Sequence, residues 1–352
     1  MFFKSQEYQK ELKGIADIIP SAGLLRNKDI LITGATGMIG SALVDVLLYL
    51  NKNYGYCIKV YALGRDIKRL EERFVSYKQE DGLHLLEHNV ISPLVMDKVP
   101  EYIIHAASNA HPYLYESEPV ETLLGNVEGT HNMLELARSG KNSRMLFISS
   151  GEIYGQLGET DIPVSEEASG YVNTMEFRSC YPSGKRAAET LCAAYAKQYN
   201  TDVVVARPCH IYGPTALSSD SRAASQFIRQ ACLKKDIIMK SSGLQRRSYC
   251  YVADCISAIL FILLKGGHSQ AYNIANKESN VTIRGFAEKV AKYGESRVIF
   301  EKPAKTEKAG YTPIIHAVFN SSKLENLGWQ AQYGIDTGIR NTIEILNGLE
   351  VV

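Results

Sequence analysis

The stretch Asp29-Ile-Leu-Ile-Thr33-Gly34-Ala-Thr36-Gly37-Met38-Ile39-Gly40 decides the fold. Asp29 to Thr33 reads as a buried strand, the glycines as a tight turn, and the apolar run from Ser41 to Leu50 as a helix. In that order Gly34 permits the turn, Gly37 lets backbone approach a pyrophosphate, and Gly40 lets the helix pack closely on the strand. The phosphate then sits on the helix N-terminus. A glycine triplet can also be a plain strand-to-helix turn without a ligand, but this context favours dinucleotide binding.

Working outward, strands are expected at Ile58–Leu63, Leu83–Asn89, Tyr102–Ala107, Met145–Ser149 and Asp202–Arg207, with helices at Glu121–Ser139 and from Tyr181 to about Tyr199. Alternating strands and helices give an α/β fold, a Rossmann-type doubly wound parallel sheet with ligands at the strand carboxyl ends. Residues 29–207 form the dinucleotide-binding domain and 208–352 a smaller substrate lobe, with some chain returning to the first. Residues 1–28 carry Lys4, Lys10 and Lys13 among apolar positions and read as a packed leader helix, not a signal peptide.

The second strand sets the cofactor preference. A carboxylate near its end would hold the adenosine ribose of NAD, but the chain reads Gly64-Arg65-Asp66. Arg65, with Lys68 or Arg69 one turn on, could pair with a 2′-phosphate, which favours NADP; a solvated Arg65 and NAD is the alternative. Small residues at Ala106-Ala107-Ser108 let the cofactor lie across the strand ends. His105 and His111 read as hydrogen-bonded loop residues, because no acid or nucleophile accompanies them at a telling spacing.

Composition narrows the function classes. A net charge of +1 with both signs interspersed offers no field for nucleic acid or an anionic membrane. No apolar run reaches the roughly 18 residues of a membrane span. Seven cysteines without a CxxC pair or a metal-spaced histidine fit a reducing, cytoplasmic compartment, and no metal site is expected.

The chemistry is concentrated in Arg178-Ser-Cys-Tyr181-Pro-Ser-Gly-Lys185-Arg-Ala-Ala-Glu189. Tyr181 and Lys185, four apart, share one face of a helix. The ammonium is expected to lower the phenol's pKa toward the range of a general acid/base. Taken alone, such a pair can equally be a solvated helix face. Ser150 and Glu152, at the end of the fifth strand, offer a hydroxyl for a sugar oxygen and a carboxylate for acid/base work.

Thr33–Gly40, Ser149-Ser-Gly-Glu-Ile-Tyr-Gly155 and Tyr181–Lys185 resemble the three signatures of the extended short-chain dehydrogenase/reductases that modify nucleotide sugars, the epimerase/dehydratase family. The likeness runs from about residue 29 to 345. It implies that Tyr181 takes the proton of the sugar 4-hydroxyl, Lys185 holds the nicotinamide ribose and Ser150 shares the hydrogen bond. The cofactor would contact Gly34, Thr36, Gly37, Met38, Ile39, Gly40, Arg65, Ala106, Ala107, Lys185 and Pro208. Arg178–Cys192 and Leu244–Asp254 are most similar to the UDP-glucuronate decarboxylase branch, where Glu152 and Arg247 match residues that handle the C5 carboxylate or position the sugar.

Three positions depart from that branch. Gly151 stands where the decarboxylases carry a hydroxyl and the 4,6-dehydratases an aspartate, which argues against a standard dehydratase. His210 replaces an asparagine that commonly touches substrate, and Tyr311 falls roughly where the decarboxylases have an arginine near the nucleotide. Arg222 and Arg247 suit a diphosphate, or else surface solvation. Lys302–Gly310 reads as a mobile lid.

The expectation is an enzyme acting on a nucleotide sugar by hydride transfer at C4, with a decarboxylase or epimerase outcome. The alternatives are an NADPH-dependent reductase of a keto-sugar and a non-catalytic dinucleotide-binding regulator. By resemblance, the helices at about 118–138 and 181–199 pair across a two-fold axis in a homodimer, and the setting is polysaccharide biosynthesis.

Overall fold

The computed structural model describes residues 2, 5–19, 22–110, 112–158, 162–301, 314 and 316–349. His111, Lys302–Gly310 and Tyr311 lie outside them. The strands are β1 (Asp29–Thr33), β2 (Lys59–Gly64), β3 (Leu83–Glu87), β4 (Tyr102–His105), β5 (Arg144–Ile148), β6 (Asp202–Pro208), β7 (His210–Tyr212), β8 (Ile237–Met239), β9 (Arg246–Tyr251), β10 (Ala271–Ile274), β11 (Asn280–Thr282), β12 (Val298–Phe300) and β13 (His316–Ala317). The helices are α1 (Gln6–Ile18), α2 (Met38–Tyr54), α3 (Ile67–Arg73), α4 (Pro112–Ser117), α5 (Pro119–Ser139), α6 (Cys180–Tyr199), α7 (Ala223–Cys232), α8 (Val252–Lys265), α9 (Ile283–Gly294), α10 (Ser322–Glu325) and α11 (Ile335–Gly348).

Seven strands form one parallel sheet in the order β10-β6-β5-β4-β1-β2-β3. The order reverses between β1 and β4, and in sheets of this kind the crevice at the carboxyl ends of those strands is where ligands bind. Strand periodicity explains the layers: Ile30 and Ile32 enter a core with α1, α2 and α8, while Leu31 between them points to α5 and α6. Both faces are covered, so these strands read as nearly continuous apolar runs. The third strand stops at Glu87, short of Asn89, whose side chain turns back to accept the Ile91 N–H at 3.4 Å.

No single cut separates the two lobes. α8 packs against β5, β6 and α2, and β10 joins the edge of the large sheet, so residues 252–274 belong to the dinucleotide-binding layer. The smaller lobe is built around β9, which pairs with β7, β11 and β13, and is backed by α7, α9 and α11. Among the described residues no helix is long and apolar enough to cross a membrane.

The leader helix bridges both lobes. Tyr8 donates to Asp45 of α2 at 2.7 Å, while Glu11 accepts from Tyr251 of β9 at 2.6 Å and from Asn341 of α11 at 2.9 Å. Burial raises the Glu11 carboxyl to about 7. Its proton is therefore held more tightly in the folded chain than in the unfolded one. The resulting stability, up to about 3 kcal/mol, is complete below the ordinary carboxylate range and is lost as pH rises through about 7. Glu11→Gln should remove that loss, leaving denaturation midpoints less pH-dependent between mildly acidic and mildly alkaline buffers. An unchanged slope would show that Asp254, likewise raised to about 7 by burial, carries the effect.

Candidate active site

The glycine loop forms a cradle in which Gly34 and Gly40 leave no room for a side chain. Gly34 has φ +66°, and a Cβ on Gly40 would lie 2.3 Å from the Gly34 carbonyl oxygen, closer than any real contact. α2 therefore starts directly against the turn, and the N–H groups of its first turn, at Met38 and Ile39, have no partner within the helix. Such a terminus, with backbone approach unobstructed by side chains, fits a dinucleotide pyrophosphate. Thr33 Oγ1 accepts the N–H groups of Ala106 and Ala107, each at 3.1 Å, and contacts His105 Nδ1 at 2.8 Å, fixing the two sides of the crevice. His105 is structural: burial first, then the Lys185 charge, lower it to about 3. From the smaller lobe, Thr215 donates to the Met38 carbonyl at 2.9 Å.

At the end of β2, Arg65 is exposed. The carboxylate of Asp66 accepts the backbone N–H groups of Lys68 and Arg69 at 3.0 and 3.2 Å, capping α3. The acid nearest the strand end is thus engaged with the helix start.

Tyr181 and Lys185 lie on the buried side of α6, only 6% and 2% exposed. Ser150, at the end of β5, lies beside the Tyr181 phenol and accepts the Glu152 N–H at 3.2 Å. Lys185 donates to the Ile148 carbonyl at 2.7 Å, with its ammonium 4.6 Å from the Phe147 ring centroid and 5.9 Å from that of Tyr181. The expected acidification of Tyr181 by Lys185 is not what the structure shows. Burial, and then the Glu152 charge, push the phenol up to about 12; the Ser150 hydrogen bond and the Arg222 and Arg178 guanidiniums oppose this. Burial likewise lowers Lys185 to about 7. Helical spacing alone does not reveal how deeply both groups are desolvated.

Two further residues surround the phenol. Arg178 forks onto Glu152, with Nη1 and Nη2 donating at 2.8 and 3.0 Å. Tyr115 of α4 stacks on Tyr181 with ring centroids 4.8 Å apart and planes at 23°. Sequence reasoning gave neither a role; the only signal was Arg178 standing three residues before the tyrosine.

On the substrate side, His210 is exposed at the start of β7, its ring centroid 5.8 Å from that of Tyr249. Arg222 flanks α7 at its N-cap and forks onto Asp220, with its closest contact at 2.6 Å. Arg247 is buried at 2% exposure and donates to the carbonyls of Arg246 and Ile314 at 2.9 and 2.5 Å. Its guanidinium is not a solvated surface group. The missing side chain at position 151 also has a physical reason, since a Cβ there would lie 2.4 Å from Phe319 Cζ. Pro208 is buried at the end of β6. Among the described residues no cluster of His, Cys, Asp or Glu could hold a metal ion.

A family model described as the NAD dependent epimerase/dehydratase family matches residues 30–275. UDP-glucuronic acid decarboxylase 1 of Xenopus tropicalis is 33% identical over 331 residues, covering 92% of this chain and 74% of the relative. UDP-glucuronic acid decarboxylase 6 of Arabidopsis thaliana is 36% identical over 250 residues, 71% of this chain and 70% of its own. Among solved structures, a UDP-glucuronic acid 4-epimerase from Bacillus cereus in complex with UDP-glucuronic acid and NAD superposes with a TM-score of 0.76 at 21% identity, covering 91% of this chain and 99% of the other. With the cradle, the Tyr-Lys-Ser site and these matches, the chain belongs to the NAD-dependent epimerase/dehydratase family.

Proposed function

We propose that the protein is a nucleotide-sugar-modifying enzyme that works by hydride transfer at sugar C4, with decarboxylation of a UDP-glucuronate-like substrate as its outcome. The observation that carries this reading is the grouping of Ser150, Tyr181 and Lys185 at the carboxyl end of β5, two strands across the sheet from β1 and its glycine turn, with His105 of the intervening β4 held by Thr33 at 2.8 Å. A bound nicotinamide dinucleotide would accept the C4 hydride and later return it. Tyr181, as phenolate, takes the 4-hydroxyl proton, and Ser150 holds the oxygen as it becomes a ketone. Glu152 and Arg247 orient the sugar. Loss of the C5 carboxylate then breaks the C5–C6 bond, its electron pair passing into the enolate of the 4-ketone. Protonation at C5 leaves a 4-keto pentose, and the product would be completed when the hydride returns to C4 and Tyr181 gives its proton back to the C4 oxygen.

Arg65 favours a second reading, an NADPH-dependent reductase of a keto-sugar. Its guanidinium is exposed beside a strand end that has no free acid, which suits a 2′-phosphate. We further propose a homodimer formed through α5 and α6, whose outward face exposes Val120, Leu123 and Leu124 beside Ala187 and Ala194. A cytoplasmic setting suits its seven unpaired cysteines.

Mass spectrometry of the denatured protein, followed by incubation with UDP-glucuronate and UDP-glucose, tests these readings. NAD released from the protein, with loss of a carboxyl group from UDP-glucuronate and no net cofactor turnover, is the expected result. Intact UDP-glucuronate with steady NADPH consumption on a keto-sugar nucleotide would replace the decarboxylase with the reductase. A monomer mass by light scattering would reject the dimer.

A further inference from the structure

We propose that Arg178 is a positioning residue for proton transfer at Tyr181: its fork fixes the Glu152 carboxylate beside the phenol and, through its cation over Tyr115, sets the ring stacked on Tyr181. The inference rests on the hydride-transfer reading above. Its basis is geometric. Arg178 lies in the single turn Phe177–Ser179 that leads into α6, three residues before Tyr181. Glu152 lies in the turn Gly151–Tyr154 that leaves β5, immediately after Ser150. The two-point contact at 2.8 and 3.0 Å joins those turns, so the hydroxyl and the phenol that share the sugar oxygen are held by one ion pair. The Arg178 guanidinium also sits 5.4 Å from the centroid of the Tyr115 ring, which stacks on Tyr181.

This arrangement answers an electrostatic problem. A phenol that must become a phenolate sits in a buried site next to a carboxylate, and both burial and the like charge oppose ionisation. The groups facing it are Glu152 from the β5 turn, Arg178 from the turn before its own helix, Cys180 from that helix's first residue, Arg222 from the α7 N-cap, Tyr115 from α4 and Lys185 one turn along α6. Lys185 is engaged with the Ile148 carbonyl and Arg222 with Asp220. Among the described residues, Arg178 alone forms an ion pair with the carboxylate that repels the phenolate. It therefore offsets the repulsion where it arises and keeps Glu152 from swinging toward the phenol. A lysine carries the charge without the planar fork and would restore only part of this.

The test is the pH profile of kcat/KM for wild type, Arg178→Ala and Arg178→Lys, using UDP-glucuronate and UDP-glucose, each with NAD and with NADP. The limb on which Tyr181 loses its proton should move upward by about one pH unit in Arg178→Ala and by less in Arg178→Lys. At neutral pH the alanine variant should lose about tenfold or more in kcat/KM, and added methylguanidinium should restore part of it. A limb that stays at the wild-type position, with a uniform loss and no rescue in either variant, would overturn the proposal and leave the hydride-transfer reading intact. A wild type inert toward every combination would remove that reading and this inference with it.

Discussion

Tyr181→Phe should reduce turnover by about 1,000-fold while leaving the fold and dinucleotide binding in place. The phenol lies beside Ser150 and its ring stacks on Tyr115, and the phenylalanine ring keeps the stack while removing the proton acceptor. Its packing is otherwise unchanged, so the loss should fall on kcat with little change in KM. Because burial and Glu152 hold the phenol near 12, the wild type should gain rate as pH rises through the neutral range, a slope the variant should lack. Rates measured on either side of neutrality, with the melting temperature as a control, check both parts. A variant that retains a tenth of the wild-type rate would assign the proton to another group.

The second large effect is expected at Gly40. Its Cβ would meet the Gly34 carbonyl oxygen at 2.3 Å, and that carbonyl cannot retreat because Gly34 itself abuts the Ala106–Ala107 backbone. Gly40→Ala must push α2 away from the turn, which separates the helix N-terminus from the place where a pyrophosphate would lie. A strained core contact of this kind costs about 1–3 kcal/mol in stability. Dinucleotide affinity should fall by at least about tenfold, read by calorimetric titration of NAD and NADP. Unchanged affinity would mean that the cradle is only a tight turn.

The large sheet was legible because its strands are short apolar runs that alternate with helices and end in small residues. Thr33–Gly40 pointed to the strand, turn and helix at β1 and α2, and Tyr181 with Lys185 to the buried side of α6. What the sequence hid depends on distance along the chain. Arg178 and Glu152 are 26 residues apart, and Tyr115 is farther still from the ring it covers. Nothing in the local pattern shows that they meet. The direction of the Tyr181 shift was hidden for another reason: a helix spacing of four reports proximity, whereas the ionisation follows from burial that only the packed fold creates. In the smaller lobe, strands of two or three residues such as β7, β8 and β13 leave no periodicity to read.

The leader helix constrains how a sugar nucleotide comes and goes. Strand β9 runs from Arg246 and the buried Arg247 to Tyr251, whose hydroxyl is held by Glu11, while Tyr8 on the same helix grips Asp45 of α2 in the large lobe. A swing of one lobe away from the other would have to break one of these buried attachments, since the helix cannot follow both lobes at once. Traffic through the crevice therefore has to come from small local movements at its rim, with the backbone frame staying shut. Trimming the chain past residue 11 would convert that rigid vessel into a hinged one, trading retention of a half-reacted sugar for faster exchange.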